Sequence, residues 1–412
     1  MVPEGWKRAP LASVAEVRGG IAKGKSGLKD PITLPYLRVA NVQDGHIDLR
    51  DVKTIEIERS QLERFSLKYG DVLMNEGGDF DKLGRGDIWK GQIEPCLHQN
   101  HVFAVRPNPK VIDSYFLASL AGSNYGKSYF LSCAKKSTNL ASINSTQIKE
   151  FPILIPPLNE QKKVSKILST WDQAISTAEK LLENSQQQYK ALTQQLLTGH
   201  RRLHGFEKAW QTLRLEKLFC RVTAKNTEGS TNVVTISAQH GLVRQEEYFN
   251  KTVASETLGN YFLLKKGQFA YNKSYSNGYP MGAIKRLNKY EKGVVTTLYI
   301  CFEASNEATC NGDFFEHYFE SGLLNNGLSK VANEGGRAHG LLNVKPSDFF
   351  GLTVFIPEVT EQKAIATVLT TAEQEIKTMQ AKLSYLRDEK KALMQQLLTG
   401  KHRVKVDELE IA

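Results

Sequence analysis

The chain has 412 residues, enough for two or three domains with separate cores, and its 41% hydrophobic content is that of an ordinary globular protein. Its apolar runs are too short to span a membrane, and its first residues lack the regions of a signal peptide, so a cytoplasmic location is predicted and a membrane or secreted protein is not expected. Its five scattered cysteines have neither disulfide-framework nor zinc-ligand spacing, so a zinc protein is not expected either. The formal net charge of +10 suits a polyanionic partner such as nucleic acid, and nearly all of the surplus lies in residues 1–158 and 198–356.

Residues 19–26 read GGIAKGKS, which matches the phosphate-binding pattern G-x-x-x-x-G-K-[ST] letter for letter. That pattern works only after a buried strand and before a helix that begins at its Lys-Ser pair. Here residues 13–18 alternate apolar and charged like a half-exposed strand, and the two prolines within residues 27–35 leave no room for a helix. We interpret the stretch as a glycine-rich loop that carries Lys23, Lys25 and Lys29.

Short strand-like runs alternate with a few short helical runs, and both halves of the chain show this mixture. Strands are predicted at residues 71–75, 101–105, 151–155, 295–302 and 353–356. Short helices are predicted to begin at Asp113 and Asp313. The pattern predicts a small α+β module that occurs twice.

Polar loops between these elements carry side chains suited to contacts with phosphates and bases. Lysine and arginine bind phosphates and can read guanine, whereas asparagine and glutamine pair with adenine through two hydrogen bonds. The DNA-binding candidates of the first half are Lys23, Lys25, Ser26, Asn75, Lys82, Arg85, Gln99, Asn100, Lys135, Lys136 and Asn139. Those of the second half are Asn272, Lys273, Ser274, Tyr275, Asn277, Arg337 and His339, and Tyr279 is a further candidate for packing on sugars or bases. An ordinary solvated loop would explain the presence of any one of these residues, but the recurrence of the set in both halves favours an interface.

Two segments have the pattern of long helices. Asn159 and Thr360 are their predicted N-caps, and Gly199 and Gly400 are their predicted ends. Apolar residues recur at alternate steps of four and three, the period that indicates a coiled coil. The predicted seam consists of Val164, Leu168, Trp171, Ile175, Ala178, Leu182, Ser185, Tyr189, Leu192 and Leu196, and of Ile365, Leu369, Ala372, Ile376, Met379, Leu383, Leu386, Lys390, Leu393 and Leu397. At ~1.5 Å per residue, a helix of about 39 residues spans roughly 58 Å.

A second, partial apolar stripe lies beside this seam and includes Leu197 and Leu398. Edge residues of the same seam would explain the stripe, since flanking positions are often apolar in bundles. The alternative is a docking face for helices of another subunit. The partner-binding candidates on that face are Ile167, Ala174, Leu181, Val368 and Tyr385.

The chain contains an internal repeat. The stretch IPPLNEQKKVSKIL at Ile155 reappears as IPEVTEQKAIATVL at Ile356, and ALTQQLLTG at Ala191 reappears as ALMQQLLTG at Ala392. Both pairs are separated by 201 residues without a gap between them, so the two segments should share one structure. The chain is therefore organised as variable, constant, variable and constant segments.

This order of segments, the paired Ile-Pro…Glu-Gln-Lys helix starts and the paired Gln-Gln-Leu-Leu-Thr-Gly helix ends resemble the specificity subunits of type I DNA restriction–modification enzymes. The resemblance covers essentially the whole chain. It implies an α+β fold with target-recognition domains at residues 1–155 and 201–356, each a small α/β domain. The conserved helices at 156–200 and, with a tail, 357–412 would form an antiparallel coiled coil with pseudo-twofold symmetry.

The same resemblance implies a function and a set of partners. Each recognition domain would read one half of a split, asymmetric double-stranded DNA site, and the helices would set the gap between the half-sites. Two methyltransferase subunits would dock on the helices, and restriction or translocase subunits would join them. The chain itself would be non-catalytic and hold no cofactor, because S-adenosylmethionine, ATP and Mg belong to the partner subunits.

Two other classes of protein remain as alternatives. One is a DNA-binding coiled-coil regulator that has no methyltransferase partner. The other is a P-loop nucleotide hydrolase that uses residues 19–26. A dispersed nuclease site built from Asp71, Glu76 and Lys82 also stays open, but the spacing of these residues is unspecific.

Overall fold

The computed structural model describes residues 2–23, 27–78, 80, 83–136, 141–249, 258–332 and 342–405. The chain divides into two compact units, Met1–Lys180 with Ala381–Ala412, and Leu181–Gln380. Two long helices each contribute their first part to one unit and their second part to the other. Within the described ranges, every helix is either too short or too polar to cross a membrane.

The first unit is built from short strands arranged in several small sheets. Its strands are β1 (Lys7–Pro10), β2 (Ala15–Arg18), β3 (Pro31–Leu37), β4 (Val42–Gln43), β5 (His46–Ile47), β6 (Lys53–Glu58), β7 (Val72–Asn75), β8 (Gly77–Gly78), β9 (Leu97–His98), β10 (Val102–Pro107), β11 (Lys135–Lys136), β12 (Ala141–Ser142) and β13 (Pro152–Ile155). Its helices are α1 (Leu62–Phe65), α2 (Ser114–Gly122), α3 (Asn124–Cys133), α4 (Ser145–Lys149) and the first part of α5 (Leu158–Leu197). The sheet orders are β1-β13, β2-β10-β7, β11-β12-β8, β6-β3-β9 and β4-β5.

The second unit has the same kind of construction. Its strands are β14 (Gln211–Arg214), β15 (Phe219–Arg221), β16 (Val234–Ser237), β17 (Gly241–Arg244), β18 (Phe262–Lys265), β19 (Phe269–Asn272), β20 (Ala283–Arg286), β21 (Lys292–Val295), β22 (Ile300–Ala304) and β23 (Thr353–Ile356). Its helices are α6 (Leu215–Leu218), α7 (Gln245–Phe249), α8 (Gly312–Glu320), α9 (Asn325–Val331), α10 (Pro346–Phe350) and the first part of α11 (Val359–Leu397). The sheet orders are β14-β23, β15-β22-β19-β20, β16-β17 and β18-β21.

The two units repeat one topology. In each, the first strand pairs antiparallel with the strand that leads into a long helix: β1 with β13 and β14 with β23. The antiparallel sheet β2-β10-β7 corresponds to β15-β22-β19. The helices α2 and α8 begin alike, because the side chains of Asp113 and Asn311 each accept the backbone N–H of the residue three positions later. The structural repeat therefore extends into the two variable segments, although their sequences differ.

The long helices α5 and α11 have 40 and 39 residues. All of the predicted seam residues are buried or half-buried, which confirms the period of 3.5 residues. The helices end at Leu197 and Leu397, two and three residues before the predicted glycines, and Gly199 and Gly400 have left-handed φ angles of 73° and 68°. At these ends the N–H groups of Arg201 and His402 bond back to carbonyls six residues earlier, which closes the last turns.

The helices pair antiparallel within each unit. In the first unit Arg387 of α11 forms an ion pair with Glu179 of α5 at 2.6 Å, and Lys390 contacts Asp172. In the second unit the buried His317 of α8 lies between the two helices, 3.3 Å from the hydroxyl of Tyr189 and 2.9 Å from that of Thr370. The predicted fold class, small α/β domains with two long antiparallel helices, is confirmed.

Several predicted boundaries differ from the observed ones, most by one or two residues, and the physical reason is visible in three cases. The long helices begin one residue before the predicted N-caps Asn159 and Thr360, because the carbonyls of Pro157 and Glu358 already accept the first helical hydrogen bonds. The helix predicted from Asp313 begins at Gly312, since the side chain of Asn311 supplies its cap. The single strand predicted at 295–302 is two strands, β21 and β22, because the backbone turns at 296–299 and the two strands pair in different sheets.

A buried carboxylate joins three separate parts of the chain at the start of each long helix. Glu160 accepts hydrogen bonds from Trp6 Nε1 at 3.1 Å and from Arg403 Nε and Nη2 at 2.6 and 2.8 Å. Glu361 accepts hydrogen bonds from Trp210 Nε1 at 3.2 Å and from Arg202 Nε and Nη2 at 2.7 and 2.6 Å. Each junction links a first strand, the start of one long helix and the end of the other.

The adjacent glutamines attach the starts of the short helices α2 and α8 to the long helices. Gln161 accepts the N–H of Asp113 at 2.8 Å and donates to the carbonyl of Val111 at 2.9 Å. Gln362 accepts the N–H of Asn311 at 2.9 Å and donates to the carbonyl of Thr309 at 3.1 Å. Both glutamines are fully buried. The repeated Glu-Gln pair therefore has the same structural task in both copies.

Replacing Arg202 by Met should destabilise the second unit by roughly 2–3 kcal/mol, because the Glu361 carboxylate, 1% exposed, would lose its charged partner. The loss should be smaller than for a fully buried pair, since Arg202 keeps 28% exposure. Urea unfolding followed by tryptophan fluorescence measures the change. The matched control is Arg201→Met, because Arg201 is exposed and should leave the free energy of unfolding unchanged. Equal stability of the two variants would contradict the role given to Arg202.

Candidate nucleic-acid interface

Backbone hydrogen bonds gather the polar loops of the first unit into one place. We name the described parts of residues 19–29, 75–86, 98–101 and 135–144 the first loop cluster. Ile21 donates its N–H to the carbonyl of His98 at 2.8 Å, and Asn100 donates to the carbonyl of Ile21 at 3.0 Å. Glu76 donates to the carbonyl of His101 at 3.0 Å, and Ile143 donates to the carbonyl of Glu76 at 2.8 Å. Loops that are far apart in sequence are therefore joined in a chain of contacts.

A small antiparallel sheet completes this cluster. Strand β12 lies between β8 and β11, so that Ala141 pairs with Gly78 and Ser142 pairs with Lys135. The arrangement places β12 between the lysine-bearing strand β11 and the glycine strand β8 that follows β7.

The structure places several predicted DNA-binding residues of the first unit on or near the surface. Lys23 and Lys135 are exposed, and the ammonium of Lys23 lies 5.6 Å from the ring centroid of Tyr36. The half-buried candidates are Arg85, Gln99 and Asn100. The strand β11 contains the backbone of Lys136. Lys25, Ser26, Lys82 and Asn139 lie outside the described residues.

Asn75 differs from the other candidates because it is fully buried. Its side-chain N–H group donates to the carbonyl of Val42 at 2.8 Å. Its backbone N–H donates to the carbonyl of Arg85 at 3.0 Å. Asn75 therefore holds the base of its loop, and its side chain does not reach the surface in this structure.

Two residues that the sequence analysis did not select as DNA-binding candidates, Glu76 and His101, lie among those candidates, and Glu76 had been named only in the unspecific nuclease alternative. The carboxylate of Glu76 contacts Nδ1 of His101, and Nε2 of His101 lies 3.3 Å from Nδ2 of Asn100. His101 was part of the polar run at residues 98–101, but only the fold brings Glu76 to it, from 25 positions earlier.

The second unit has a corresponding loop after β19, at residues 272–280. Leu342 donates its N–H to the carbonyl of Lys273 at 3.0 Å, as Ile143 does to Glu76 in the first unit. Tyr275 is 63% exposed and Asn277 is exposed, whereas Lys273 and Ser274 are half-buried. The half-buried Asn272 accepts the N–H of Ser274 at 3.1 Å. Arg337 and His339 lie outside the described residues.

Tyr279 is held by the fold and is less available than Tyr275. Its hydroxyl donates to the carbonyl of Ala238 at 2.9 Å and contacts the carboxylate of Glu320. Lys285 lies 3.0 Å from the same hydroxyl. Burial, together with the hydrogen bond to Glu320, raises the pKa of Tyr279 above its ordinary value, so the phenol stays protonated.

The predicted partner-binding residues on the long helices divide into two groups. Ala174, Leu181 and Tyr385 are exposed, and the exposed fractions of Leu181 and Tyr385 are 53% and 63%. Ile167 and Val368 are half-buried and pack against the cores of their own units. Large exposed apolar side chains on a helix are available to a partner.

The structure describes part of the surroundings of the two catalytic alternatives, the phosphate-binding loop at residues 19–26 and the nuclease site around Asp71. Residues 27–30 are not helical and β3 follows them, so the helix that a phosphate-binding loop requires after its lysine is not formed by these residues. Asp71 is 1% exposed and accepts two hydrogen bonds from Arg106, at 2.8 and 2.7 Å. These bonds raise the pKa of the Arg106 guanidinium above its ordinary value. Among the described residues, no group of three metal-ligating side chains comes together.

Comparisons with known proteins identify relatives of the chain. A sequence model of the type I restriction modification DNA specificity domain matches residues 3–184. The putative type I restriction enzyme MjaX specificity subunit of Methanocaldococcus jannaschii is 27% identical, and the match covers 98% of this chain and 95% of that protein. The EcoKI specificity subunit of Escherichia coli K12 is 26% identical over 47% of this chain and 41% of its own length.

Solved structures share the fold. The type I restriction-modification system S subunit from M. genitalium superimposes with a TM-score of 0.56 at 14% identity, covering 96% of this chain and 99% of that one. A chain from a study of complex assembly and conformational transition of the type I R-M system gives a TM-score of 0.57 at 13% identity, covering 97% and 98%.

Replacing Gly20 by Ala should disturb the first loop cluster. The added Cβ would lie 2.2 Å from the carbonyl oxygen of His98, the same oxygen that accepts the N–H of Ile21. We expect a loss of about 1–3 kcal/mol in stability and faster amide exchange in residues 19–23 and 98–101, measured by hydrogen–deuterium exchange mass spectrometry. Gly19→Ala is the matched control, because its Cβ would meet nothing within 4 Å. Unchanged exchange in the Gly20 variant would show that the loops are not coupled in this way.

Proposed function

The chain belongs to the family of type I restriction–modification DNA specificity subunits, and we propose that each of its two units reads one half of a split double-stranded DNA site. The observation that carries this proposal is the first loop cluster, in which hydrogen-bonded backbones present lysine and amide side chains together. The counterpart in the second unit uses the same connecting bond, at Lys273.

The side chains at these loops suit two kinds of contact with DNA. Lys23 and Lys135, both exposed, are suited to neutralise phosphates, which fixes position without selecting sequence. Gln99, Asn100 and Asn277 carry amides that can form paired hydrogen bonds to adenine in the major groove. Tyr275 has enough exposed ring to pack against sugars or bases.

The two units are expected to read different half-sites. Their frameworks repeat, but the loops after β7 and β19 carry different side chains: Glu76 is followed by two glycines, whereas Lys273 is followed by Ser274 and Tyr275. Unlike contacts give unlike base preferences, so the target is asymmetric. We further propose that the long helices set the length of the gap between the half-sites.

The chemistry of modification and cleavage would belong to other subunits. The chain is a DNA-recognition component, and we propose that it is non-catalytic and binds no cofactor. Two methyltransferase subunits would dock on the long helices, where Ala174, Leu181 and Tyr385 are exposed, and restriction or translocase subunits would join them in the cytoplasm. S-adenosylmethionine, ATP and Mg would be bound by those partners.

Exchanging residues 1–155 for the corresponding domain of another specificity subunit should change one half-site only. The reason is that the second unit keeps its own loops. Mapping methylated bases across the genome by long-read sequencing, with the wild-type and hybrid chains, gives the two motifs. A matched exchange of residues 201–356 should change the other half-site, and inserting one helical turn into α5 should alter the gap.

Three results, one from these exchanges and two from separate assays, would go against the proposal. A motif that does not change with either exchange would overturn it. Failure of the chain to co-purify with an adenine methyltransferase would favour a regulator without that partner. ATP turnover that Lys25→Ala abolishes would favour a nucleotide hydrolase.

Replacing Lys23 or Lys135 by Ala should weaken binding of the assembled complex to all duplexes by a similar factor. Each replacement removes one phosphate contact, so the slope of log affinity against log salt should fall by about one. Fluorescence anisotropy with a labelled duplex at several salt concentrations measures the slope. Lys110→Ala serves as the control. Lys110 is exposed, and it follows the end of β10 that is farther along the chain from the first loop cluster. A slope unchanged in both test variants would place the interface elsewhere.

A further inference from the structure

We propose that Glu76 and His101 orient the side-chain amide of Asn100 so that it selects an adenine in the half-site read by the first unit. The inference rests on the proposed function and adds to it the residues that choose one base. Its basis is a relay of side chains: the carboxylate of Glu76 contacts Nδ1 of His101, and Nε2 of His101 lies 3.3 Å from Nδ2 of Asn100.

The order of protons along the relay determines which way the amide faces. A carboxylate accepts hydrogen bonds, so Nδ1 of His101 carries the proton that it donates to Glu76. In the neutral ring Nε2 then has only a lone pair, and only the NH₂ group of Asn100 can donate to it. The nitrogen of the amide is thereby held against His101. Without the relay the amide could rotate by half a turn and exchange its donor and acceptor.

An amide held in this way retains the groups that adenine requires. One N–H of Asn100 is used by His101, and the second N–H and Oδ1 remain. Among the residues that the structure describes, none donates a hydrogen bond to that Oδ1. Adenine presents the N7 acceptor and the N6 donor side by side in the major groove, which matches one donor and one acceptor. Guanine presents two acceptors there, so the oxygen of the amide would face an acceptor.

The backbone places the relay where a duplex can reach it. The N–H of Asn100 bonds to the carbonyl of Ile21, and the N–H of Glu76 bonds to the carbonyl of His101, so all three residues are held at their main chains. The side chains of His101 and Glu76 are 54% and 31% exposed. Asn75 provides the contrast, because it is the same residue type in the same cluster but is fully buried.

The test uses the full chain in its own host, with each variant at the chromosomal locus and the methylated motif read by long-read sequencing. In Asn100→Asp the side chain can only accept, so the selected adenine position should also admit cytosine, whose N4 donates. In His101→Phe and Glu76→Leu the amide is no longer held, and selection of adenine should fall roughly tenfold at that position and nowhere else. The other half-site should stay unchanged in all three variants.

The control and a second assay separate this effect from loss of folding. Asn108→Ala changes an asparagine at the far end of β10 and should leave the motif intact. Where a variant abolishes methylation, the purified complex selects duplexes from a random library, and the bases that it retains are compared with those retained by wild type. Loss of adenine selection at one position in either assay supports the relay.

Two different failures are distinguishable. If deleting the chain leaves every methylated motif in place, the proposed function itself is overturned. If the motif depends on the chain but all three variants keep the same base preference, or if His101→Phe changes several positions of both half-sites, the relay does not select a base and only this inference falls.

Discussion

The structure depends on two buried carboxylates, Glu160 and Glu361, that are each held by a tryptophan and an arginine from distant parts of the chain. A buried carboxylate without partners is strongly unfavourable, so these three groups must come together when the chain folds. The arginines follow the ends of the long helices, whereas the carboxylates lie in their first turns. A carboxylate at one helix start therefore requires the other helix to run in the opposite direction.

The neighbouring glutamines extend this constraint to the recognition modules. Gln161 and Gln362 use both ends of their amides, one to accept from the cap residue of a short helix and the other to donate to nearby carbonyls. Each module is thus attached to its long helix by backbone groups. Because backbone groups exist whatever the side chains are, the modules can diverge in sequence without losing this attachment.

The same separation of framework from side chain occurs in the loops. In the first loop cluster the main chains bond to one another, and the side chains of Lys23 and Lys135 are exposed. One hydrogen-bonded pair of side chains also differs between the units: Asp71 pairs with Arg106 in the first unit, and Gln268 pairs with Glu303 in the second. In both units a side-chain oxygen of the first member of the pair, Asp71 or Gln268, accepts the backbone N–H of the residue three positions earlier. A protein built in this way can change what it reads while its fold persists.

Much of the architecture could be predicted from the pattern of residues alone. Periodic apolar positions and two glycines located the long helices to within three residues, because helix period and left-handed glycine ends are local properties. The repeat indicated that the two constant segments share one structure. The partners of Glu160 and Glu361 were not predicted, although an arginine three residues after each helix-ending glycine, Arg202 and Arg403, belongs to the same repeat and signals them.

What the tertiary structure decided was the fate of individual polar side chains. Sequence treated Asn75 and Asn100 alike, since both are asparagines in polar loops. Long-range contacts bury the first completely and leave the second half-buried beside His101. The tertiary structure also divides the run at 295–302 into two strands, because each strand pairs with a partner that lies far away in the chain. The sequence by itself determined which polar residues lie in loops, and the three-dimensional packing decided which of them are exposed, because burial depends on neighbours that are remote in sequence.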